Sequence, residues 1–386
     1  MKTLVADNGA FTLRLGLAGE AEPTVCMPHQ TALIRNDVTG RELVGEETED
    51  VNYAHRQLEL FRAHERGCLV DKQVEEKVWT RAINQTCGAL ASGDSLLVTE
   101  APLVPQTSRR LADELFFEHF NFARVGRVLP HTCAVWGEED AVVKVVVDCG
   151  YSATWIVPLL GGNPVLRASS MRRLDVGGKL LTNLFKEELS WRHVNLMDDT
   201  KLVEDCKTAC CVVKPLVSNF QLPPCRFLLP DFKQDFVGRC LAEHESVAAN
   251  RQVMKLGALE RTNLPEVLFT PQRIGMEQMG LGACIRECIA SLPFELQTQA
   301  RNNIVVTGGG AKFPGFCPRL EQELDCTVVD KTQSSLLVWR GAAKLAESAS
   351  FAANAQTKQQ YEEDGPLRSQ KGRTKQQHRG YHLAVW

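Results

Sequence analysis

Three β-rich runs that each end in a glycine turn constrain this chain more than any other feature of its sequence. They are residues 4–9 (LVADNG), 145–150 (VVVDCG) and 304–310 (IVVTGGG). Glycine lets backbone N–H groups come close to a phosphate, and turns of this kind form anion-binding sites. A single D-x-G turn is more often structural. Two such copies, 141 residues apart, and a third glycine turn make phosphate binding an equal alternative.

The first two runs carry an aspartate where the predicted strand ends. Asp7 and Asp148, brought together from separate domains, could hold a hydrated Mg²⁺ that bridges phosphate oxygens. Arg14 follows Asp7 closely enough to reach the same phosphates. The sequence contains no GxGxxG fingerprint, P-loop, HExxH motif or GxSxG elbow. The ordinary nucleotide-binding and hydrolase folds are therefore disfavoured.

Short apolar runs alternate with longer helical patterns, which indicates α/β layers with partly parallel sheets. Predicted strands include residues 96–99, 145–148 and 304–307. We expect Asp71 to cap one helix and Thr107 to cap another, because each precedes an apolar stripe at helical spacing. No apolar run reaches eighteen residues, and Asp7 interrupts the N-terminal stretch. We therefore expect neither a signal peptide nor a membrane span.

The composition of the chain also limits the classes of partner, compartment and metal site that we expect. The 386 residues suffice for two or three domains, and 44 basic against 47 acidic residues give no chain-wide attraction to nucleic acid or lipid. The 14 cysteines are irregularly spaced, which is typical of a reducing compartment. Cys206 with Cys210, and Cys284 with Cys288, each offer two of the four ligands of a structural zinc site. We interpret both pairs as buried apolar side chains.

The ordered set of motifs resembles the actin family, in which two phosphate hairpins and an adenosine turn enclose ATP. The similar segments are residues 7–9 (DNG), 99–103 (TEAPL), 148–150 (DCG), 177–182 (GGKLLT), 308–315 (GGGAKFPG) and 358–366 (KQQYEEDGP). The likeness covers nearly all of residues 1–366. It implies an α/β chain with the actin-like ATPase-domain fold, in which two paired α/β domains surround a nucleotide cleft and comprise four subdomains.

The resemblance also implies the boundaries of these subdomains. Subdomain 1 would comprise residues 1–26, 67–140 and 337–366, subdomain 2 residues 27–66, subdomain 3 residues 141–176 and 263–336, and subdomain 4 residues 177–262. The remaining residues, 367–386, contain five basic side chains and no acidic one. Such a composition is typical of a flexible basic tail.

The same resemblance implies a site for ATP or ADP with Mg²⁺. Its metal ligands would be Asp7 and Asp148. The residues that contact the cofactor would be Asp7, Gly9, Arg14, Asp148, Gly150, Gly178, Lys207, Gly308, Gly309, Gly310 and Phe313. The alternative is a cleft that is kept only for packing.

Four positions depart from conventional actin. Ala10 replaces the serine after the first Asp-Asn-Gly, and Tyr151 replaces the aspartate after the second loop. The glutamine that orients the attacking water aligns with Ala123, and the glutamate near the adenosine aligns with Thr208. Because loss of the glutamine removes the positioning of water, we expect nucleotide binding with little or no hydrolysis. The protein would then not be an enzyme.

Further segments resemble one nuclear subfamily of actin-related proteins more than conventional actin. They are residues 194–200 (VNLMDDT), 229–232 (LPDF), 264–269 (LPEVLF) and 274–277 (IGME). This resemblance implies a structural subunit of a chromatin-remodelling complex that exchanges the Z variant of histone two-A into nucleosomes. Its partners would be a helicase-like ATPase, a small zinc-finger subunit and histones, and it would reside in the nucleus with some in the cytoplasm.

Two other functions stay open. A cytoskeletal actin-like ATPase would need a filament-forming loop, which residues 27–66 do not resemble. A sugar or acetate kinase of the same superfamily would need a catalytic acid where Tyr151 stands. We expect no self-filament and no membrane contact. Residues 367–386 could contact nucleosomal DNA phosphates non-specifically, and a merely solvated tail is an equal alternative.

Overall fold

The computed structural model describes residues 2–37, 39–50, 57–90, 93–138, 141–161, 163–164, 168–216, 220–233 and 235–364. The predicted basic tail, residues 367–386, lies outside them. The strands are β1 (Thr3–Asn8), β2 (Thr12–Leu17), β3 (Val25–Pro28), β4 (Thr31–Ile34), β5 (Glu42–Val44), β6 (Leu58–Phe61), β7 (His64–Glu65), β8 (Cys68–Leu69), β9 (Ser95–Thr99), β10 (Arg124–Val128), β11 (Val143–Cys149), β12 (Thr154–Leu160), β13 (Asn163–Pro164), β14 (Arg172–Leu174), β15 (Cys225–Leu228), β16 (Arg239–Cys240), β17 (Val253–Leu256), β18 (Ile304–Thr307), β19 (Val328–Asp330) and β20 (Gln356–Thr357).

Helices alternate with these strands along the chain. They are α1 (Lys72–Cys87), α2 (Gln106–Asp113), α3 (Pro130–Ala134), α4 (Gly178–Arg192), α5 (Thr200–Cys210), α6 (Ala258–Phe269), α7 (Leu281–Ala290), α8 (Phe294–Asn302), α9 (Phe316–Leu324), α10 (Leu337–Ala346), α11 (Ala349–Asn354) and α12 (Lys358–Asp364). A π-helical stretch, Glu114–His119, continues α2, and 3-10 turns span Gly45–Glu49, Ala168–Ser170, Pro271–Ile274 and Gly309–Ala311. Within the described ranges, none of the helices combines the length and the apolar character needed to cross a membrane.

Two larger sheets follow one plan. In the first, with the order β20-β10-β9-β1-β2-β3, β1 forms a hairpin with β2 and pairs in parallel with β9. In the second, with the order β13-β12-β11-β18-β19, β11 forms a hairpin with β12 and pairs in parallel with β18. In each sheet, a central strand therefore ends in a hairpin turn that contains glycine. The second sheet has a further glycine turn after β18.

Each sheet has its own apolar core. The first packs against helix α1 through Trp79 and against the π-helical stretch through Phe116 and Phe117, all of them buried. On its other face Trp339 of α10 is fully buried and donates its indole N–H to the carbonyl of Val5 at 3.0 Å. The second core gathers residues from β11, β18 and helices α4 to α9, among them Phe185. These cores fix the strand ends from which the glycine turns emerge.

Smaller sheets extend the two layers. The sheet β5-β4-β6 lies in the predicted subdomain 2 and encloses Ala32, Ile34 and Leu43. The sheet β16-β15-β17 lies in the predicted subdomain 4, where α5 packs against β15 and β16. The subdomain boundaries themselves stay a prediction.

Several sequence-based expectations can be compared with the elements. The strands expected at 96–99, 145–148 and 304–307 are confirmed as parts of β9, β11 and β18. Asp71 caps α1 as predicted, because its carboxylate accepts from the backbone N–H groups of Gln73 and Val74. The prediction for Thr107 is wrong: α2 begins one residue earlier, at Gln106, and Pro105 precedes it without a side-chain cap. The fixed φ of a proline suits this entry.

Candidate functional site

The glycine turns of both larger sheets open into one cavity of about 550 Å³. A volume of this size is typical of small-molecule sites. The eleven residues expected to contact a nucleotide all line it: Asp7, Gly9, Arg14, Asp148, Gly150, Gly178, Lys207, Gly308, Gly309, Gly310 and Phe313. The fold thus brings together residues from both hairpin turns, from helices α4 and α5 and from the third glycine turn, and their role in binding stays a prediction.

The first hairpin holds Asp7 beside Arg14. The β1–β2 register pairs the two residues directly, and the Arg14 guanidinium donates to Asp7 Oδ2 at 2.8 Å. Thr99, at the end of β9, donates its hydroxyl to Asp7 Oδ1 at 3.2 Å and accepts from the backbone N–H of Asn8 at 2.9 Å. Asp7 is therefore oriented from two sides, and Arg14 reaches the cavity while paired with it.

Asp148 occupies the matching position on the second hairpin. It lies beside Thr307 of β18, and the turn that follows brings Gly308 against it. Burial raises the pKa of Asp148 to about 6, and the negative charge of Asp7 adds to the effect. A divalent cation held by both carboxylates would offset this repulsion. The donor set of oxygen ligands beside glycine turns therefore fits Mg²⁺ with a phosphate group.

Helix α4 begins at the edge of the cavity. The backbone N–H of Gly178 donates to the Gly150 carbonyl at 3.0 Å, which ties the helix to the second hairpin. A Cβ at Gly177 would lie 2.5 Å from the Tyr151 carbonyl oxygen, so the junction requires a residue without a side chain. Lys207 of α5 donates to the Thr182 hydroxyl at 2.6 Å, and burial lowers the pKa of Lys207. Its ammonium group is thus held at the cavity wall.

Two of the positions that depart from conventional actin, Ala10 and Tyr151, take part in one contact between the hairpin turns. The rings of Phe11 and Tyr151, one from each hairpin turn, lie 5.0 Å apart. The guanidinium of Arg62 lies 4.7 Å from the first ring and 4.6 Å from the second. It also donates to the Ala10 carbonyl at 3.2 Å. Aromatic and cation–π contacts therefore join the two turns where conventional actin has small polar and acidic residues.

The sequence alignment of the water-orienting glutamine with Ala123 is wrong in structural terms. Ala123 precedes β10 at the end away from the cavity, whereas the cavity end of β10 leads to Pro130 and His131. Both of these residues line the cavity. Proline carries no side-chain hydrogen-bonding group, so the position still lacks the amide of a glutamine.

His131 stands beside that position as a buried imidazole. Among the described residues neither ring nitrogen of His131 has a hydrogen-bond partner. Burial lowers its pKa to about 3, so the ring is neutral near pH 7. A neutral imidazole offers one donor and one acceptor to a molecule in the cavity. No sequence motif identified this residue.

Thr208 and Glu204 shape the wall contributed by α5. The Thr208 hydroxyl donates to the carbonyl of Glu204 at 2.8 Å, so it serves its own helix. Glu204, one turn earlier, also lines the cavity, and burial raises its pKa. Glu204 thus places a carboxylate at the cavity wall one turn before Thr208. Its i, i−4 spacing on a helix was the signal that could have identified it.

A buried ion pair supports the first hairpin from behind. Glu75 of α1 is fully buried, and its carboxylate lies 2.7 Å from His29 Nε2 and 3.6 Å from His64 Nδ1. The other oxygen of Glu75 accepts from the Asn8 amide at 3.0 Å, and His29 Nδ1 donates to the Gly9 carbonyl at 2.8 Å. These contacts fix the loop backbone. Sequence reasoning missed all three residues because they come from three separate elements.

Comparison with known proteins agrees with this geometry. The family model described as Actin matches residues 1–373. The chain is 31% identical to the Actin-like protein ARP6 of Yarrowia lipolytica, over 94% of this chain and 95% of that protein. It is also 31% identical to the Actin-related protein 6 of Arabidopsis thaliana, over 95% and 97%, and 30% identical to the Actin-related protein 6 of Drosophila melanogaster, over 94% and 97%.

Proposed function

The chain belongs to the actin family, and we propose that it is a nuclear structural subunit of a chromatin-remodelling complex that binds Mg-nucleotide without appreciable hydrolysis. Family membership confirms the actin-like fold predicted from the sequence. The relatives named actin-related protein 6 also confirm the predicted kind of protein, an actin-related protein. The actin family generally binds nucleotide with a divalent cation.

The observation that supports nucleotide binding is the single cavity lined by both hairpin turns and the third glycine turn. Asp7 and Asp148 would hold the cation, and the backbone N–H groups of the turns would donate hydrogen bonds to phosphate oxygens. When bound, Mg²⁺ would neutralise phosphate charge. Phe313 and the glycines from 308 to 310 form the wall beyond β18, where the resemblance places the adenosine.

The groups at the end of β10 support the proposal that hydrolysis is inefficient. Pro130 offers no side-chain donor or acceptor to orient a water molecule, and His131 is too weak a base near neutral pH because its pKa lies at about 3. The bound nucleotide would then act as a ligand that joins the two sheets and stabilises the folded state.

We expect Mg-ATP to stabilise the purified chain by about 2.7 kcal/mol when its free concentration is a hundred times the Kd. Asp148→Asn should abolish the accompanying rise in Tm, because it removes one of the two carboxylates that would hold the cation. Phosphate release by the unsubstituted chain should stay far below about 1 per second, the lower end of typical kcat values. Thermal denaturation with and without Mg-ATP, together with a phosphate-release assay, measures both.

Asp325→Asn is the matched control, because Asp325 is exposed, does not line the cavity and lies in a left-handed turn that suits asparagine. It should keep the full rise in Tm. An equal Tm with and without Mg-ATP in the unsubstituted chain would support a cleft kept only for packing. Steady turnover near 1 per second would contradict the non-catalytic role.

The proposed place in a complex rests on similarity along the whole chain to actin-related proteins 6, and on one of the subfamily-like segments. The loop that begins at residue 229 is held by Arg251, which lies 3.2 Å from Asp231 and 2.7 Å from Asp235. It exposes Phe236 and Val237, the latter by 61%. We infer that these two side chains contact a partner, because they closely follow a segment that resembles the nuclear subfamily. The partners would be a helicase-like ATPase, a small zinc-finger subunit and histones.

Another subfamily-like segment has a structural role. Residues 264–269 are buried in α6, where Glu266 forms a two-pronged pair with Arg319 of α9 at 2.9 Å for each contact. This segment therefore offers no exposed surface to a partner. The proposed DNA contact of residues 367–386 stays a prediction from the sequence.

We expect a tagged chain, recovered from nuclear extract, to bring with it a helicase-like ATPase and a zinc-finger subunit. The double variant Phe236→Ser with Val237→Ser should recover several-fold less of both, because the loop loses its exposed apolar contacts. Phe294→Ser, at an 84% exposed site on α8, is the control and should recover normal amounts. Mass spectrometry of the recovered proteins gives the ratio.

The same preparation tests the alternative that the chain is a cytoskeletal actin-like ATPase. In salt that polymerises conventional actin, the chain should remain in the supernatant after sedimentation, since residues 27–66 do not resemble the conventional loop. Ordered filaments in the pellet, or recovery of cytoskeletal proteins alone, would contradict the proposed role.

A further inference from the structure

Three cysteine side chains, Cys210, Cys225 and Cys240, meet where helix α5 packs against the small sheet β16-β15-β17, and a fourth lies beside one of them. Cys210 Sγ lies 3.3 Å from Cys240 Sγ and 3.7 Å from Cys225 Sγ, and the sulfurs of Cys225 and Cys240 lie 3.1 Å apart. Cys206, one turn before Cys210, places its sulfur 4.0 Å from that of Cys210. The cluster lies apart from the cavity, because none of the four residues lines it.

We propose that Cys210, Cys225 and Cys240 bind one zinc ion, with Cys206 as the nearest further sulfur for the fourth position. Zinc binds cysteine thiolates at about 2.3 Å with tetrahedral geometry, which separates neighbouring sulfurs by about 3.8 Å. The observed separations of 3.1–3.7 Å need an outward movement of less than an ångström. Soft thiolate ligands select zinc over hard cations such as Mg²⁺.

The fold explains why the sequence did not reveal this site. The pair Cys206 and Cys210 on α5 offered two ligands, and no CxxC motif supplied the others. Antiparallel pairing places Cys240 of β16 opposite Phe227 of β15, near Cys225 at the start of that strand. The structure confirms that Cys206 and Cys210 are buried, and two strands bring two more sulfurs to Cys210.

Burial and charge at the cluster suit a metal site. Cys206 and Cys210 are buried, whereas Cys225 and Cys240 are partly exposed, so an ion can enter from one side. Arg261 lies beside the cluster and donates from Nε to the Cys210 carbonyl at 2.8 Å. Its positive charge offsets the excess negative charge of a zinc ion with three or four thiolates. Binding releases the thiol protons to solvent.

A zinc ion would serve the fold in this part of the chain. The strands β15, β16 and β17 contain two to four residues each, so their sheet has little apolar area of its own. The ion would join α5, β15 and β16 at one point. The loop with Asp231 and Asp235 lies between β15 and β16, and the metal would therefore also fix the ends of that loop.

The test is zinc analysis of the full chain, purified under reducing conditions without added chelator. We expect about one zinc ion per chain by inductively coupled plasma mass spectrometry. Cys225→Ser and Cys240→Ser should each reduce the content below about a tenth of that value. Cys206→Ser should retain zinc with lower affinity, measured by competition with a chromogenic chelator.

Cys284→Ser is the control. Cys284 and Cys288 share the four-residue spacing on α7, but among the described residues no third ligand joins them. This variant should keep one zinc ion. If the cluster variants fail to fold, cobalt substitution of the unsubstituted chain should still give a thiolate-to-cobalt charge-transfer band in the near ultraviolet.

Other outcomes overturn the proposal. If the purified chain contains no metal and all four thiols react with an alkylating reagent, the cysteine cluster does not bind zinc. Mass spectrometry could also find a disulfide between Cys225 and Cys240 in the chain as isolated. The short distance between their sulfurs would then reflect disulfide formation and not a metal site. Equal zinc content in Cys240→Ser and Cys284→Ser would place the ion elsewhere. None of these outcomes depends on nucleotide binding.

Discussion

Replacement of Glu75 by glutamine is expected to lower the free energy of unfolding by about 3–5 kcal/mol, the usual cost of removing one partner from a buried ion pair. Glutamine keeps the shape of the side chain but leaves His29 without its counter-charge at 2.7 Å. The same carboxylate accepts from Asn8 in the first hairpin and from the Trp79 indole, each at 3.0 Å. Urea denaturation measures the change.

Glu76→Gln provides the control on the same helix. Glu76 is half-exposed and lies 3.6 Å from His119, so its loss should cost less than about 1 kcal/mol. If Glu75→Gln lost no more than this control, the ion pair would not support the hairpin. If Glu75→Gln destabilises as expected, the rise in Tm with Mg-ATP should also shrink, because the Asn8 contact orients the loop.

The free energy of unfolding should depend on pH in a way that reports the Glu75–His29 ion pair. Burial acts to raise the pKa of Glu75, but the charges of His29 and His64 outweigh it and lower the pKa from 4.5 to about 2. The stabilisation by Glu75 is therefore complete above pH 4.5 and lost as the pH falls toward 2. Burial acts to lower the pKa of His29, yet Glu75 and the Gly9 carbonyl hold it above 6.5. That contribution is complete below pH 6.5 and is lost as the pH rises through the folded-state pKa, and Glu75→Gln should flatten both slopes.

Local patterns predicted the parts of the fold that local chemistry determines. The three glycine turns followed from β-rich runs in the sequence, and the structure places them around one cavity. The Asp71 cap followed from a side chain that serves its own helix. Both features depend on residues within a few positions of each other. The pairing of β1 with β9 and of β11 with β18 joins segments far apart in the sequence, so no local pattern could give it.

Features assembled from distant residues escaped sequence reasoning. Glu75, His29 and His64 come from different elements, and a lone histidine in a sequence carries no sign of its partner. Cys225 and Cys240 join Cys210 only because strand pairing and helix packing bring them there. The placement of the glutamine position at Ala123 was wrong for a different reason. The sequence does not show which end of β10 faces the cavity, and only the structure does.

Gly308→Ala is expected to disrupt the candidate nucleotide site more strongly than any other single methyl group. Gly308 has φ +93° and ψ 155°, a backbone region that glycine alone adopts readily, so alanine costs about 1–3 kcal/mol in strain. The added Cβ would also lie 2.5 Å from Asp148 Oδ1 and 2.5 Å from the Cys149 carbonyl oxygen. Overpacking of this kind costs about 1–3 kcal/mol more. We expect the Mg-ATP-dependent rise in Tm to be lost.

Gly137→Ala separates the two costs. Gly137 also has a positive φ, +81°, but no heavy atom lies within 4 Å of the position its Cβ would take. It should therefore lose only the backbone contribution, about 1–2 kcal/mol, and keep the full response to Mg-ATP. If Gly308→Ala destabilised the chain no more than Gly137→Ala and retained the response, the contact of the third glycine turn with Asp148 would not be required. If Gly308→Ala loses the rise in Tm with Mg-ATP and Gly137→Ala keeps it, nucleotide binding requires the close approach of the third glycine turn to the Asp148 carboxylate.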